Sequence, residues 1–183
     1  MLSKVELIQQ ACAGKRVLDI GGSGYGKDNA YEASLRQAWA SCQRTILDTP
    51  GSNADLQVDL NGPLSDLDWN AYDLVTAFSV LEHLEHPVSV LRWIGTQRLL
   101  VSLPNGLCLY TRVMERRWGL NHLYSFTPYT ASQLCLAAGR WEIQQVNFLA
   151  GKWSPAAKLY NAIGSLYPPY FGTELVLDLK RKN

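Results

Sequence analysis

The sequence predicts an α/β protein built on a mostly parallel, seven-stranded sheet with helices on both faces and an antiparallel last strand. Short apolar runs bounded by Gly, Asp or Pro alternate with longer segments of helical spacing. That alternation is typical of parallel strands joined by right-handed helical crossovers. The 183 residues contain no internal repeat or linker, so we expect one domain over residues 1–183.

Seven segments have the length and composition of strands. They are Arg16–Ile20, Arg44–Leu47, Leu56–Val58, Tyr72–Phe78, Arg98–Leu103, Trp141–Phe148 and Glu174–Lys180. Leucines alternate with polar residues in the final segment, which is compatible with an antiparallel strand added at the end of the sheet. Helices are expected at the amino terminus, over Ala30–Ala40, from His86 or Pro87, after Thr127–Pro128 and around Pro155–Ser165.

Composition favours a globular protein of the cytoplasm. Apolar residues make up 47% of the chain and the formal charge is only +1, so nucleic acid is not an expected partner. No apolar run is long enough to span a membrane.

The four cysteines are widely spaced and form no C-x-x-C pair, which argues against a zinc site and for reduced thiols. No metal site is predicted, and the oligomeric state is open.

A glycine-rich turn follows the first strand directly. It runs from Gly21 to Gly26 and contains four glycines, which allow a tight bend and a close approach to a ligand. Carboxylates stand at or near the ends of the first three strands, as Asp19, Asp48 and Asp59. Each can simply cap a turn. Together, at one edge of a parallel sheet, they favour a site for a nucleotide-like ligand whose ribose hydroxyls bind an acid.

These residues carry a resemblance to a known family. The segments Val17–Gly26 and Tyr72–Leu84 resemble two motifs of class I S-adenosylmethionine-dependent methyltransferases, and His122–Pro128 resembles a stretch of the small-molecule, type 11/23-like branch. The similarity extends from Val17 to Gly139 and implies a Rossmann-like fold with S-adenosyl-L-methionine as cofactor. The resemblance implies that the cofactor contacts Asp19, Gly21, Gly22, Ser23, Gly24, Asp48, Thr49, Asp59, Leu60, Phe78, Ser79 and Val80.

The sequence departs from the family pattern at two points. The glycine turn is one residue shorter than the usual D-x-G-x-G-x-G, which affects the contacts expected of Gly22 and Ser23. The Pro-Gly-Gly that normally precedes the fifth strand is replaced by Ile94–Arg98. A dinucleotide dehydrogenase fits less well, because the turn lacks a clear G-x-G-x-x-G register.

Three side chains are candidates for catalysis. His83 follows the fourth strand, and histidine suits a general base near neutral pH; alternatively it hydrogen-bonds the loop. His122 and Tyr124 lie in a segment that can form one wall of an acceptor site, although Tyr124 can equally pack beneath it. Glu82 is expected to orient rather than to act as a base.

Two other segments have alternative interpretations. Arg112, Arg116 and Arg117 form a basic cluster that is either a solvated face or a clamp for an acidic substrate group. The apolar stretch Leu159–Phe171 is expected to close the core, although it can also line a pocket or contact a partner.

Three functions follow as expectations. The leading one is a methyltransferase that methylates an oxygen of a small metabolite, lipid or glycan precursor by in-line transfer. The second is a methyltransferase-like accessory protein that acts through a partner enzyme, because Ile94–Asn105 resembles the methionine-biosynthesis W proteins. The third is a domain that retains the fold alone.

Overall fold

A computed structural model describes residues 1–24, 30–64, 66–118, 122–149 and 166–182. The strands in chain order are β1 (Arg16–Ile20), β2 (Gln43–Asp48), β3 (Leu56–Gln57), β4 (Leu74–Phe78), β5 (Arg98–Pro104), β6 (Trp141–Leu149) and β7 (Glu174–Arg181). The α-helices are α1 (Lys4–Cys12), α2 (Ala30–Trp39), α3 (Pro87–Trp93), α4 (Leu109–Trp118), α5 (Pro128–Ala138) and α6 (Pro168–Phe171). Short 3₁₀ turns occupy Gly22–Gly24, Trp69–Ala71 and Leu81–His83.

All seven strands belong to one sheet, in the order β3-β2-β1-β4-β5-β7-β6. The first five strands pair in parallel. β7 runs antiparallel to both of its neighbours, β5 and β6. The predicted α/β class and antiparallel last strand are therefore confirmed. β7 is inserted between β5 and β6, however, rather than added at the edge of the sheet.

Helices cover both faces of the sheet, as predicted. On one face α3 packs against α5, which also contacts β6. The buried residues of these two helices are Pro87, Val90, Leu91, Ala131, Cys135 and Ala138. On the other face α1 and α2 contribute Leu7, Ile8, Cys12, Leu35, Ala38 and Trp39. Successive side chains of the central strands enter these two apolar clusters alternately. Because both faces of these strands are buried, their sequences are nearly continuous hydrophobic runs.

Local signals in the sequence explain several helix ends. Ser3 caps α1 in a capping box with Glu6, and Thr127 caps α5 in the same way with Thr130. Pro87 and Pro128 occupy the first turns of α3 and α5, where a missing N–H costs no helical hydrogen bond. Gly139 ends α5 with φ +77°, the left-handed conformation that favours glycine.

The helix predicted around Pro155–Ser165 lies outside the described residues. Among the residues that are described, no helix combines the length and apolarity needed to cross a bilayer.

Candidate functional site

The glycine turn lies at the carboxyl end of β1, between β2 and β4. Gly21 has φ +75°, and its N–H donates to the Leu47 carbonyl at 2.7 Å. A Cβ on Gly21 would overlap the Val80 side chain, and a Cβ on Gly22 would overlap the Asp19 carboxylate. Close packing therefore requires glycine at both positions, and the left-handed backbone conformation is a second reason at Gly21. Gly24 ends the short 3₁₀ turn.

Asp19 lies beneath this turn and is only 1% exposed. Its Oδ1 accepts a hydrogen bond of 2.6 Å from the Thr76 hydroxyl. Its Oδ2 forms an ion pair with Arg44, whose Nε lies 3.0 Å away. Burial raises the pKa of the Asp19 carboxyl, and the Arg44 charge and the Thr76 hydroxyl oppose that rise. The carboxylate thus supports the turn from below, with both oxygens engaged by the protein.

Arg44 extends the same network upward. Its guanidinium donates to the Gly22 carbonyl at 2.9 Å and lies over the Trp39 ring at 4.4 Å from the centroid. It therefore ties the glycine turn to both Asp19 and α2 by charge, hydrogen bonding and cation–π contact. Sequence analysis missed Arg44 and Thr76. The signal available for Arg44 was a cation near the start of a strand that continues into the apolar residues Ile46 and Leu47.

Asp48 ends β2 beside the glycine turn. Its Oδ2 accepts hydrogen bonds from the Ser23 N–H at 3.2 Å and from the Ser23 hydroxyl. Its Oδ1 accepts from the Thr49 N–H at 2.8 Å. The structure thus brings Ser23, Asp48 and Thr49 together around one partly exposed carboxylate.

Asp59 and Leu60 follow β3 at the same edge. The Asp59 side chain is exposed and accepts the Asn61 N–H at 2.9 Å, while Leu60 is 3% exposed and belongs to the core. A backbone hydrogen bond of 2.9 Å from Val58 to the Asp48 carbonyl holds the ends of β2 and β3 side by side. Both acids therefore stand at the carboxyl edge of the sheet, at the ends of neighbouring strands.

The end of β4 forms the opposite side of the turn. The Phe78 side chain is buried in the apolar cluster that α1 and α2 cover, and its ring centroid lies 6.2 Å from that of Trp39. Its ring is therefore part of the core. Ser79 has φ +56°, an uncommon conformation for a residue with a Cβ. This bend directs the chain into Val80 and the 3₁₀ turn Leu81–His83.

The three candidate catalytic residues lie close together beyond this bend. The His83 and His122 rings meet edge to face, with centroids 4.8 Å apart at an angle of 71°. The Tyr124 hydroxyl donates to the Glu85 carbonyl at 2.9 Å, which fixes the ring against the loop. The Leu123 N–H donates to the Glu82 carbonyl at 2.8 Å. Two segments that are distant in sequence therefore form one local structure.

The remaining sequence predictions fall partly outside the described residues. Arg112 is exposed on α4, whereas the side chains of Arg116 and Arg117 are outside the described set. Within Leu159–Phe171 only the last part is described. There Leu166, Tyr167 and Tyr170 are between 61% and 75% exposed, so these three do not close the core.

Comparisons with known proteins identify the fold. No protein-family model matches the chain, and no curated protein sequence matches it significantly. A solved S-adenosylmethionine-dependent methyltransferase from Mesorhizobium loti is similar in structure, with a TM-score of 0.56 at 14% identity over 97% of this chain and 95% of that one.

Two further solved structures are similar over less of their own length. The O-methyltransferase NcsB1 from neocarzinostatin biosynthesis, in complex with S-adenosylmethionine and 2-hydroxy-5-methyl naphthoic acid, gives a TM-score of 0.56 at 14% identity over 91% of this chain and 48% of that one. The small RNA methyltransferase HEN1 gives 0.60 at 13% identity over 98% of this chain, which spans only 24% of the HEN1 chain. The chain therefore has the fold of S-adenosylmethionine-dependent methyltransferases.

Proposed function

We propose that the protein is a methyltransferase that uses S-adenosylmethionine to methylate an oxygen of a small acceptor. The observation that carries this proposal is the meeting of the glycine turn, Asp48 and the β4 bend at the carboxyl edge of the sheet. The order of strands reverses there, between β1 and β4, and open α/β sheets bind ligands at such a point.

The chemistry of the Asp48 carboxylate fits an adenosine ribose. It already accepts hydrogen bonds from two hydroxyls, those of Ser23 and, at 3.4 Å, Thr49, together with two backbone N–H groups. A ribose hydroxyl can replace the Ser23 hydroxyl on Oδ2 without leaving the acid unsatisfied. In this arrangement the glycine turn holds the methionine portion, Asp48 and Thr49 hold the ribose, and Asp59 and Leu60 lie on the adenine side.

The cofactor supplies a methyl group already activated on a sulfonium. The residues of this chain then have mainly to position the acceptor. Much of the rate enhancement comes from holding the acceptor atom and the methyl group in line and about 3 Å apart. His83, His122 and Tyr124 stand just beyond the β4 bend and form the proposed acceptor side. A histidine there can remove the proton of an acceptor hydroxyl near neutral pH.

A small acceptor is favoured by charge and by the similar structures. With a formal charge of only +1, the chain lacks the strong net positive charge that attracts a polyanion such as RNA. NcsB1, an O-methyltransferase, was solved with a small aromatic acid. HEN1 is an RNA methyltransferase, but this chain matches only 24% of it.

Cofactor binding is tested by calorimetry with S-adenosylmethionine and S-adenosylhomocysteine. We expect Asp48→Ala to weaken binding of both by about tenfold or more, because a hydrogen bond to a charged group contributes about 1.5–3 kcal/mol. The variant should also lose a little stability, since Asp48 holds Ser23 without ligand. Glu142→Ala, at an exposed position of β6, is the matched control.

The outcomes separate the parts of the proposal. If the folded wild-type protein binds neither ligand, the proposed function is wrong. If both bind and Asp48→Ala binds equally well, only the ribose assignment is wrong. Methylation of a hydroxylated acceptor by the wild-type protein is the positive result for the reaction itself.

A further inference from the structure

Three side chains that commonly bind metals converge beyond the β4 bend. Glu82 and His83 belong to the 3₁₀ turn Leu81–His83, and His122 comes from the segment that precedes α5. One potential ligand atom from each of them lies within 4.8 Å of the other two. Carboxylate oxygen and imidazole nitrogen are the donors that Zn²⁺, Fe²⁺ and Mn²⁺ accept in proteins.

The backbone holds these residues in place. The His83 N–H donates to the Val80 carbonyl at 3.0 Å, which closes the 3₁₀ turn. The Leu123 N–H donates to the Glu82 carbonyl at 2.8 Å and fixes the residue after His122 against that turn. The Tyr124–Glu85 hydrogen bond of 2.9 Å makes a second connection between the same segments. The convergence is thus built by at least two independent contacts.

The donor atoms lie close enough for one ion to bind them after a small contraction. Metal–ligand bonds of about 2.0–2.2 Å place two neighbouring ligands of a tetrahedral ion about 3.3–3.6 Å apart. The observed limit of 4.8 Å therefore requires a contraction of at most about 1.2–1.5 Å, to which rotation of the exposed His83 side chain can contribute. Glu82 is 0% exposed, and an ion beside a buried carboxylate compensates part of its desolvation.

We propose that Glu82, His83 and His122 form a binding site for one divalent transition-metal ion. Two imidazoles and one carboxylate fill one side of the coordination sphere and leave the other positions for water or a ligand. Sequence analysis predicted no metal site, because it considered cysteine spacing and because His83 and His122 are far apart in the chain.

The location of the site suggests what the ion does. Val80, which contacts Gly21 of the glycine turn, is only two residues from Glu82. An ion beside that turn can orient and polarise an acceptor oxygen. This role rests on the proposed methyltransferase function, whereas the metal site itself does not.

Metal binding by the purified 183-residue chain tests the site directly. Co²⁺ is titrated in the absence of any cofactor and followed by visible absorption and calorimetry. We expect one equivalent to bind, with bands typical of nitrogen and oxygen ligands and no thiolate charge-transfer band. Saturation should also raise the melting temperature of the protein, since the ion binds the folded state.

The three histidines of the chain provide a matched set of variants. His83→Gln and His122→Gln should each weaken Co²⁺ binding at least tenfold, because losing even a residue behind a metal ligand costs about 10–100-fold. His86→Gln is the control, since His86 is an exposed neighbour at the start of α3 outside the cluster. Circular dichroism should show all three variants folded.

Several results would overturn the proposal. They are absence of stoichiometric binding to the wild type, equal affinities for all three variants, or a spectrum dominated by thiolate ligands. Cofactor calorimetry in the presence of a chelator keeps this result separate from the proposed function. A chain that binds S-adenosylmethionine but no Co²⁺ refutes only the metal site, and the converse refutes only the cofactor.

Discussion

Arg44 determines how a fully buried acid can lie directly beneath the glycine turn. The Arg44 and Asp19 side chains are only 15% and 1% exposed, so each charge depends on the other for compensation. The pair therefore differs from a surface ion pair such as that of Arg16 and Asp73, whose side chains are 51% and 43% exposed. Its contribution is best measured by removing one partner and then both.

Arg44→Met should lower the free energy of unfolding by about 3–5 kcal/mol, because it removes the charge that compensates the buried Asp19 carboxylate. The hydrogen bond from the Thr76 hydroxyl to Asp19 remains in this variant. The double variant Asp19→Asn, Arg44→Met should lose less than Arg44→Met alone. Urea denaturation measures both changes. Arg16→Met is the control and should have a much smaller effect. Equal losses for Arg44→Met and Arg16→Met would contradict the buried-pair interpretation.

At the scale of elements, the amino ends of β1 and β4 are joined by one carboxylate. Asp73 immediately precedes β4 and accepts the Arg16 backbone N–H at 2.9 Å and the Arg16 guanidinium at 2.8 Å. Its own N–H donates to the Arg16 carbonyl at 2.9 Å. These hydrogen bonds from Arg16 lower the pKa of Asp73 from 3.8 to about 2.

The substitution Asp73→Asn should make the free energy of unfolding less dependent on pH in the acid range. Since the pKa of Asp73 is lower in the folded state, the ionised carboxylate stabilises the protein above pH 3.8, and that contribution is lost as pH falls towards about 2. The stability difference between wild type and Asp73→Asn should therefore be full at pH 5 and shrink between pH 4 and pH 2. Denaturant midpoints across this range measure it. A difference that is constant with pH would show that the Arg16–Asp73 contact is absent in solution.

Strand periodicity predicted most of the elements, and the exceptions have local causes. β1 and the starts of β6 and β7 agree with the expected bounds. β4 begins at Leu74 rather than at Tyr72, because Tyr72 caps the 3₁₀ turn Trp69–Ala71. The position of β7 inside the sheet could not be predicted, since alternation of leucines reveals a strand but not its neighbours.

The site was predictable only where it is local in sequence. The glycine turn and Asp48 stand at strand ends that periodicity identifies, so their proximity follows from a parallel sheet. The pairing of Asp19 with Arg44, and of His83 with His122, depends on register and on loop packing between distant segments. Neither property is encoded in the spacing of a single motif.

At the scale of the whole molecule, the solvent exposure of the four cysteines shows how completely the core is closed to solvent. Cys12, Cys108 and Cys135 are at most 1% exposed, and Cys42 is partly exposed. Burial raises the pKa of Cys12 and of Cys135 to about 12, with nearby negative charge contributing at Cys12. The thiolate, which is the reactive form, is therefore scarce at these two positions in the native protein.

Native protein treated with iodoacetamide at pH 8 should be alkylated slowly at Cys42 alone, whereas protein in denaturing urea should react at all four cysteines. Burial also raises the pKa of Cys42, which slows that reaction. Intact mass spectrometry counts the modified thiols. Cys42→Ser serves as the control and should remain unmodified when native. Rapid native alkylation of Cys12 or Cys135 would indicate that the core opens locally rather than as a unit.

The insertion of β7 between β5 and β6 has a consequence for synthesis on the ribosome. Among the described strands β6 pairs with β7 alone, and its last residue also forms an isolated bridge with Leu2. β6 therefore has no neighbouring strand in the sheet until β7 has been translated and has left the exit tunnel. The parallel strands β1 to β5 can assemble earlier, because they pair with one another. Of these five strands, β5 alone has β7 as a neighbour. Nascent chains arrested before Glu174 should therefore hold a lone, half-apolar β6 segment, the kind of transiently exposed strand that chaperones recognise.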